Sequence, residues 1–350
     1  MATRKKAVKA LPPRPATLPG DPRIVAVTGA FGSLGRRLVR LLERDVNVER
    51  VVAIDIRNAL EGAARDGEPT DPQSFLAAHD KLSAHSLDLT EAGADRELAG
   101  ILTKERAGSL IHLAFLSTPV HALEMAHELE TIGTMYVLNA AAEAKVSTLL
   151  SLSSAMCYGA RPDNPAWITE EQPLRPPASR SLRDKAEADA AVLKLAVEHR
   201  EMAVSVARLG AVVGTAADHF WTRTLSRPLV PSVLGYDPLV QLMLIDDAVA
   251  AVHAMWTARA RGAFNVVGSG VLPWSHVLTR LGKTPLPLPA GVGQSIVGAL
   301  WSAQLIDMPR QFLDYLRWPW VCDGGKLQQE TGFMAAHDLP TSLSMFRGSR

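Results

Sequence analysis

The sequence predicts an α/β fold: a doubly wound parallel sheet with helices on both faces, joined to a smaller, mostly C-terminal lobe. Three observations predict it. Short β-branched apolar runs recur along the 350 residues, with helix-period segments between them. The first run leads into a glycine-rich turn that opens a helix, Thr28-Gly29-Ala30-Phe31-Gly32-Ser33-Leu34-Gly35. The second run ends on an acid, Asp55, twenty residues beyond Gly35.

The elements follow in order. Residues 1–22 mix basic side chains with Pro12, Pro13, Pro15, Pro19 and Pro22 and read as a flexible tail. No apolar stretch follows the basic residues, so a secretory signal is not expected. Order begins at Arg23. Ile24 to Val27 is a buried strand, and Leu34, Leu38, Leu41 and Leu42 give the first helix its period. Val51 to Ile54, Ser109 to Ala114, Leu149 to Leu152 and Ala203 to Ala207 are further strands. Helices are expected over 91–105, 121–144 and 182–200. Residues 215–240 and 268–292 are rich in Pro and Gly around short helices such as Asp246–Ala258, and helical periodicity returns at Ser295–Leu316. The organisation expected is a tail (1–22) and one unit (23–350). Within that unit the core covers about 23–214 plus 240–267, and the substrate lobe about 215–239 plus 268–350.

Composition narrows the class. Apolar residues are 47% and charged residues 21%, which excludes a collagen, a coiled coil or a wholly disordered chain. The net charge is +1, and Arg4, Lys5, Lys6, Lys9, Arg14 and Arg23 concentrate the positive charge at one end. The remaining body is mildly acidic and lacks the field of a nucleic-acid binder. Two cysteines exclude a disulfide framework and fit a cytoplasmic setting. The apolar stretch Val292–Ile306 is broken by Gln294, Ser295, Ser302 and Gln304, so no membrane span is expected. The basic tail with the amphipathic stretch 292–316 leaves membrane-surface contact as a minor alternative. His121 and His127 are six apart, about 240° around a helix. His79 and His85 fall in a loop-like region without cysteine, so no metal site is expected.

The turn carries the first chemistry. Backbone N–H groups can approach a pyrophosphate only where Cβ atoms are missing, and the helix start adds partial positive charge. Asp55 is placed to accept hydrogen bonds from the adenosine ribose hydroxyls. Its carboxylate repels a 2′-phosphate, so NAD is preferred over NADP, with Arg57 nearby softening that exclusion.

Thr28–Gly35, Asp55, Asp88-Leu89, His112-Leu113-Ala114 and Ser153-Ser154-Ala155-Met156-Cys157-Tyr158-Gly159 occur in that order. So do Arg208-Leu209-Gly210-Ala211-Val212-Val213-Gly214, Asp246-Asp247-Ala248-Val249 and Phe264-Asn265-Val266-Val267-Gly268. From about Arg23 onward the chain resembles the extended short-chain dehydrogenases/reductases, the NAD-dependent epimerase/dehydratase group that includes UDP-galactose 4-epimerase. The resemblance implies a Rossmann sheet. It implies cofactor contacts from Gly29, Phe31, Gly32, Ser33, Leu34, Gly35 and Asp55, with Asp88 and Leu89 beside the adenine. Leu113 and Ala114 would line the cleft by their backbone, Ser154 would donate to the reacting oxygen, and His112 would be a packed strand residue.

The chain departs from that group where its working helix carries Tyr-x-x-x-Lys. Here the stretch is Ser181-Leu182-Arg183-Asp184-Lys185. By the resemblance, Lys185 holds the nicotinamide ribose and Ser181 stands in the place of the tyrosine. A serine alkoxide is far more basic than a phenolate whose parent pKa is about 10, so Ser181 is a poor replacement. Tyr158 is a candidate substitute. In nucleotide-sugar members an Asn follows the Arg-x-x stretch, and an Arg and a His precede the Asp-Asp pair. These places fall at Ala211 and near Val240 and Leu244, which are apolar here, with Arg223 and Arg227 as candidate compensation. The resemblance therefore implies an oxidoreductase acting on a secondary alcohol by hydride transfer to NAD. Its small-molecule substrate is a nucleotide sugar or an apolar, hydroxysteroid-like alcohol. The alternative is an NAD-binding sensor or scaffold with reduced catalysis. A homodimer is expected through helices 121–144 and 182–200, where Ala140, Ala141, Ala142, Ala186, Ala188, Ala190 and Ala191 permit close approach or pack against the sheet.

Overall fold

The computed structural model describes residues 21–56, 79–214 and 219–348. Residues 1–20 of the expected tail and the expected effect of Arg57 lie outside the described residues, while Asp21 and Pro22, expected in that tail, begin the first strand. A seven-stranded sheet forms the centre, in the order β3-β2-β1-β4-β5-β6-β7. Its strands are β1 (Asp21–Thr28), β2 (Arg50–Asp55), β3 (Leu82–Ser86), β4 (Ala107–His112), β5 (Thr148–Ser154), β6 (Ala203–Leu209) and β7 (Gly262–Val266), and every pairing is parallel. The order reverses between β1 and β4, so a crevice opens beyond their carboxyl ends.

The apolar strands are legible because both faces are covered. Val25 and Val27 point to one face, against Leu38 and Leu42 of α1 (Ser33–Arg44) and Ala248 and Val252 of α7 (Ile245–Thr257). Ile24 and Ala26 point to the other face. There Leu98 and Leu102 of α2 (Ala94–Glu105), Val137 and Ala141 of α4 (Thr134–Glu143) and Val192 and Leu195 of α5 (Arg180–Glu198) cover them. Ala140, Ala141 and Ala188 are buried on the chain's own core, so their small size serves packing within this chain. Between α3 (Leu123–His127) and α4 the backbone runs as a π-helical turn, Glu128–Gly133. The expected single helix over 121–144 is thus interrupted, with consequences for Glu130 below.

Another expectation changes at the sheet edge. His85 lies in β3, not in a loop, and pairs with Glu105 at 3.0 Å, while His79 pairs with Glu43 at 2.6 Å. The strand Leu82-Ser83-Ala84-His85-Ser86 is half exposed and has no apolar run to announce it. A third apolar cluster joins Met156 and Leu182 to α6 (Phe220–Ser226), α8 (Trp274–Leu281) and the 3₁₀ segment Arg310–Leu316. The helical stretch expected over 295–316 is divided between α9 (Ala290–Ser302) and that 3₁₀ segment. Among the described residues no helix is long and apolar enough to cross a membrane.

Candidate active site

The glycine turn is built as the spacing requires. Gly29 has φ 68°, and a Cβ there would lie 2.6 Å from the Ala114 backbone nitrogen. A Cβ on Gly35 would lie 2.1 Å from the Gly29 carbonyl oxygen. Gly32 caps α1 without any side-chain hydrogen bond, and no acid occupies the first turn. The N–H groups of the helix start are therefore available to an anion. Asp55 Oδ2 accepts from the Phe31 backbone N–H at 2.8 Å, which fixes the carboxylate at the tip of β2. The Phe31 side chain packs into the core, so Phe31 acts through its backbone.

Two cavities lie end to end across the tips of β1 and β4. The smaller, about 130 Å³, is lined by Asp55, Asp88, Leu89, Leu113 and Ala114 together with Gly29 and Gly32. Asp88 Oδ1 is engaged by Thr90, accepting from its N–H at 2.8 Å and its hydroxyl at 2.7 Å. The larger, about 320 Å³, begins at Gly29, Gly32, Ser33, Leu34 and Gly35 and reaches Ser154, Ser181 and Lys185. The expected cofactor residues and the expected catalytic residues thus meet along one trough. A turn without room for Cβ atoms, an uncapped helix start and a fixed acid fit a dinucleotide.

Beneath the trough runs a buried polar chain. The Thr28 hydroxyl lies 2.7 Å from His112 Nδ1, and His112 Nε2 lies 3.2 Å from Thr134 Oγ1. Thr134 donates to the Glu130 carbonyl at 2.7 Å, so its oxygen accepts from Nε2–H and Nδ1 accepts from Thr28. His112 is neutral: burial pushes its pKa from 6.5 down to about 4. The unfolded state therefore binds one more proton than the folded state between about pH 6.5 and 4. Stability is full above pH 6.5 and falls as pH drops through that window, by about 3 kcal/mol in total. In denaturant titrations His112→Asn should flatten this slope by close to one proton.

At the other end, Lys185 is buried and already engaged. Its ammonium donates to the Leu116 carbonyl at 2.8 Å, forms an ion pair with Glu130, and lies 3.2 Å from the centre of the Phe115 ring. Glu130 Oε1 also accepts from Leu116 N–H at 2.8 Å. Burial pushes the pKa of Lys185 down and that of Glu130 up, because each charged form has lost water. Glu130 and Phe115 were not legible in the sequence. On a regular helix Glu128-Leu129-Glu130-Thr131 reads as solvated, but the π-helical turn shifts the phase and puts Glu130 inside.

Several sequence expectations are corrected. Tyr158 does not replace the missing tyrosine. It is buried away from the trough, donates to Asn265 Oδ1 at 2.9 Å and accepts from Arg208 Nη1 at 2.8 Å, and burial pushes its pKa up. Arg208 is held bidentately by Asp189, at 2.9 and 2.8 Å. Ala211, Val240 and Leu244 are packed in the third cluster and do not line the cleft. The cleft's far wall is instead Met156, Leu182, Phe220, Trp221 and Phe312, with Arg223 at the rim, 4.0 Å from Asp307. Arg227 lies outside the lining. Ser154 Oγ accepts from Met156 N–H at 3.2 Å and lines the larger cavity. His121 stacks on Trp301 with ring centres 3.8 Å apart, and His127 pairs with Asp184. Among the described residues no three metal-ligating side chains gather.

The profile of the NAD dependent epimerase/dehydratase family matches residues 25–267, and this chain belongs to that family. The extended short-chain dehydrogenase/reductase class expected from the motifs therefore holds. An uncharacterized protein of Mycobacterium tuberculosis is 27% identical over 321 residues, 90% of this chain and 81% of the relative. Among solved structures, dTDP-glucose 4,6-dehydratase from Bacillus anthracis in complex with NAD superimposes with a TM-score of 0.70 at 15% identity, covering 93% of this chain and 96% of that one. A UDP-galactose 4-epimerase gives 0.63 at 19% identity, covering 93% and 98%. Likeness at this identity carries the fold.

Proposed function

We propose that this chain is an NAD-dependent oxidoreductase acting on a secondary alcohol carried by an apolar skeleton, of hydroxysteroid or isoprenoid type. The observation that carries the substrate class is the far wall of the cleft. Met156, Leu182, Phe220, Trp221 and Phe312 offer aromatic and aliphatic surface where a nucleotide diphosphate needs cations and amides. When bound, the dinucleotide supplies the two-electron chemistry. The protein's own residues do the rest. Gly29, Gly32 and the start of α1 bind the diphosphate, and Asp55 orients the adenosine ribose. Asp55 favours NAD over NADP by repelling a 2′-phosphate. Ser154 Oγ donates to the reacting oxygen, and Phe220 and Trp221 exclude water from that end. The test incubates the protein and NAD⁺ with UDP-glucose, UDP-galactose, a 3β-hydroxysteroid and menthol, following the absorbance of reduced coenzyme and, separately, sugar epimerisation. Turnover is expected with the apolar alcohols, falling about 100-fold or more in Ser154→Ala. Turnover confined to the UDP-sugars would overturn the substrate class.

A second reading, an NAD-binding sensor with reduced catalysis, is favoured by one observation: Lys185 is held by Glu130 and covered by Phe115. Coenzyme binding without turnover on that panel would select it. For either reading we propose a homodimer. Exposed Met125, Ile132, Met135 and Val197 on the segments containing α3, α4 and α5 supply apolar surface for a second copy. The third cluster, which gathers Phe220, Trp274 and Phe312, supports the substrate lobe we propose for the later chain.

A further inference from the structure

We infer that the buried Glu130–Lys185 pair carries the proton of this site: Lys185 relays the substrate's proton, and Glu130, acting through the lysine as a positioning residue, stores it. The inference rests on the redox function proposed above. Oxidising a secondary alcohol frees an O–H proton, and the helix that should hold a tyrosine offers Ser181. The neighbouring candidates are closed. Tyr158 is held by Arg208 and Asn265 behind the cleft, and both ring nitrogens of His112 are committed to Thr28 and Thr134. Burial pushes the Cys157 thiol up to about 12.

The pair is placed for the task. Ser181 and Lys185 both line the cleft and lie one turn apart on α5. Behind the lysine, Glu130 is 1% exposed and Oε1 holds both Lys185 and Leu116 N–H. Its second oxygen, Oε2, is buried without a hydrogen-bond partner among the described residues. A carboxylate with one bare oxygen is costly to keep charged, so taking up a proton relieves it. The step balances. One N–H bond of Lys185 breaks as an O–H bond forms on Glu130 Oε1, which frees the lone pair of Nζ. The Ser181 proton then moves to Nζ as the alcohol O–H bond breaks and its proton joins Ser181 Oγ. The C–H hydrogen leaves with its electron pair to the oxidised nicotinamide dinucleotide, and a carbonyl remains. Lysine ends as it began, an ammonium, and the carboxylate ends neutral.

The groups facing the pair are Asp184 on α5 with its partner His127 on α3, Cys157 on the 3₁₀ turn after β5, and neutral His112 beyond Thr134. The first test needs no turnover. In protein labelled with ¹³C at glutamate carboxyls, the Glu130 resonance is assigned by its absence in Glu130→Gln. It should move through the full carboxylate-to-acid shift at pH values above the ordinary carboxylate range. A resonance that titrates within the ordinary carboxylate range overturns the inference. The second test uses any alcohol of the panel that the wild type oxidises. Glu130→Gln keeps the acceptor for Leu116 and Lys185 but cannot store a proton. It should lower kcat about 100-fold or more while KM and the NAD⁺ Kd stay within about threefold. Glu130→Asp should recover part of kcat with a displaced pH profile. A wild-type kcat and pH profile in Glu130→Gln overturns the inference. Failure of the wild type to bind NAD⁺ sinks the proposed function and leaves the resonance test to decide the role of Glu130.

Discussion

Gly35→Ala is expected to weaken dinucleotide binding by about 100-fold or more while leaving a folded, less stable protein. The new Cβ would stand 2.1 Å from the Gly29 carbonyl oxygen, with the Ala30 carbonyl at 2.8 Å, and both are backbone atoms. No side chain can swing aside, so the turn must open by more than an ångström. The N–H groups at the start of α1 then lose their aim. Charge-assisted hydrogen bonds contribute about 1.5–3 kcal/mol each, so losing two raises the Kd for NAD⁺ by about 100-fold or more. Overpacking of the turn should cost about 1–3 kcal/mol of stability. Calorimetric titration with NAD⁺ and denaturant unfolding measure the two effects. Gly100→Ala on α2 is the control, because nothing lies within 4 Å of the position a Cβ would take. Wild-type affinity in Gly35→Ala would show that the turn does not carry the diphosphate.

Asp189→Ala should cause the largest loss of stability, about 3–5 kcal/mol, by stranding the Arg208 guanidinium. The two side chains are 1% and 5% exposed. Without Asp189, Arg208 keeps the Tyr158 hydroxyl and the Glu170 carbonyl as acceptors but has no countercharge there. Removing both charges together, as Asp189→Leu with Arg208→Met, should cost much less than the single change. The exposed pair Arg23–Asp21, with side chains 59% and 24% exposed, gives the scale. Breaking it should cost far less, because water and salt already screen it. Urea unfolding of the single and double variants reads all of these. A loss below 1 kcal/mol in Asp189→Ala would mean that the buried arginine finds another partner.

The parallel sheet was legible because strands covered on both faces leave unbroken apolar runs, as in Ile24 to Val27 and Val51 to Ile54. The dinucleotide turn was legible because glycine is demanded by close backbone approach, which leaves a mark in spacing alone. Edge strand β3 left no such mark, since its exposed face takes serine and histidine. The catalytic end was harder to read. Glu130 reaches the interior through a π-helical turn, and a one-residue change of helical phase has no signature in composition. Phe115 covers Lys185 from a segment beyond a strand end, where periodicity carries no information. Family spacing puts the substrate wall at Ala211 and near Val240 and Leu244. The chain folds those residues into its interior and lines the cleft with Phe220 and Trp221.

The last strand of the central sheet, β7, is separated from its neighbour β6 by more than fifty residues of chain, and α7, which packs against α1, lies in the same late stretch. During synthesis on the ribosome, everything up to β6 can emerge while one face of the nascent sheet and its outer edge still lack their covers. The β6 edge then presents unpaired amides and carbonyls, and the surface awaiting Val252 and Phe264 stays open to water. Translation speed across residues 210–266 therefore sets how long that edge and that surface stay open.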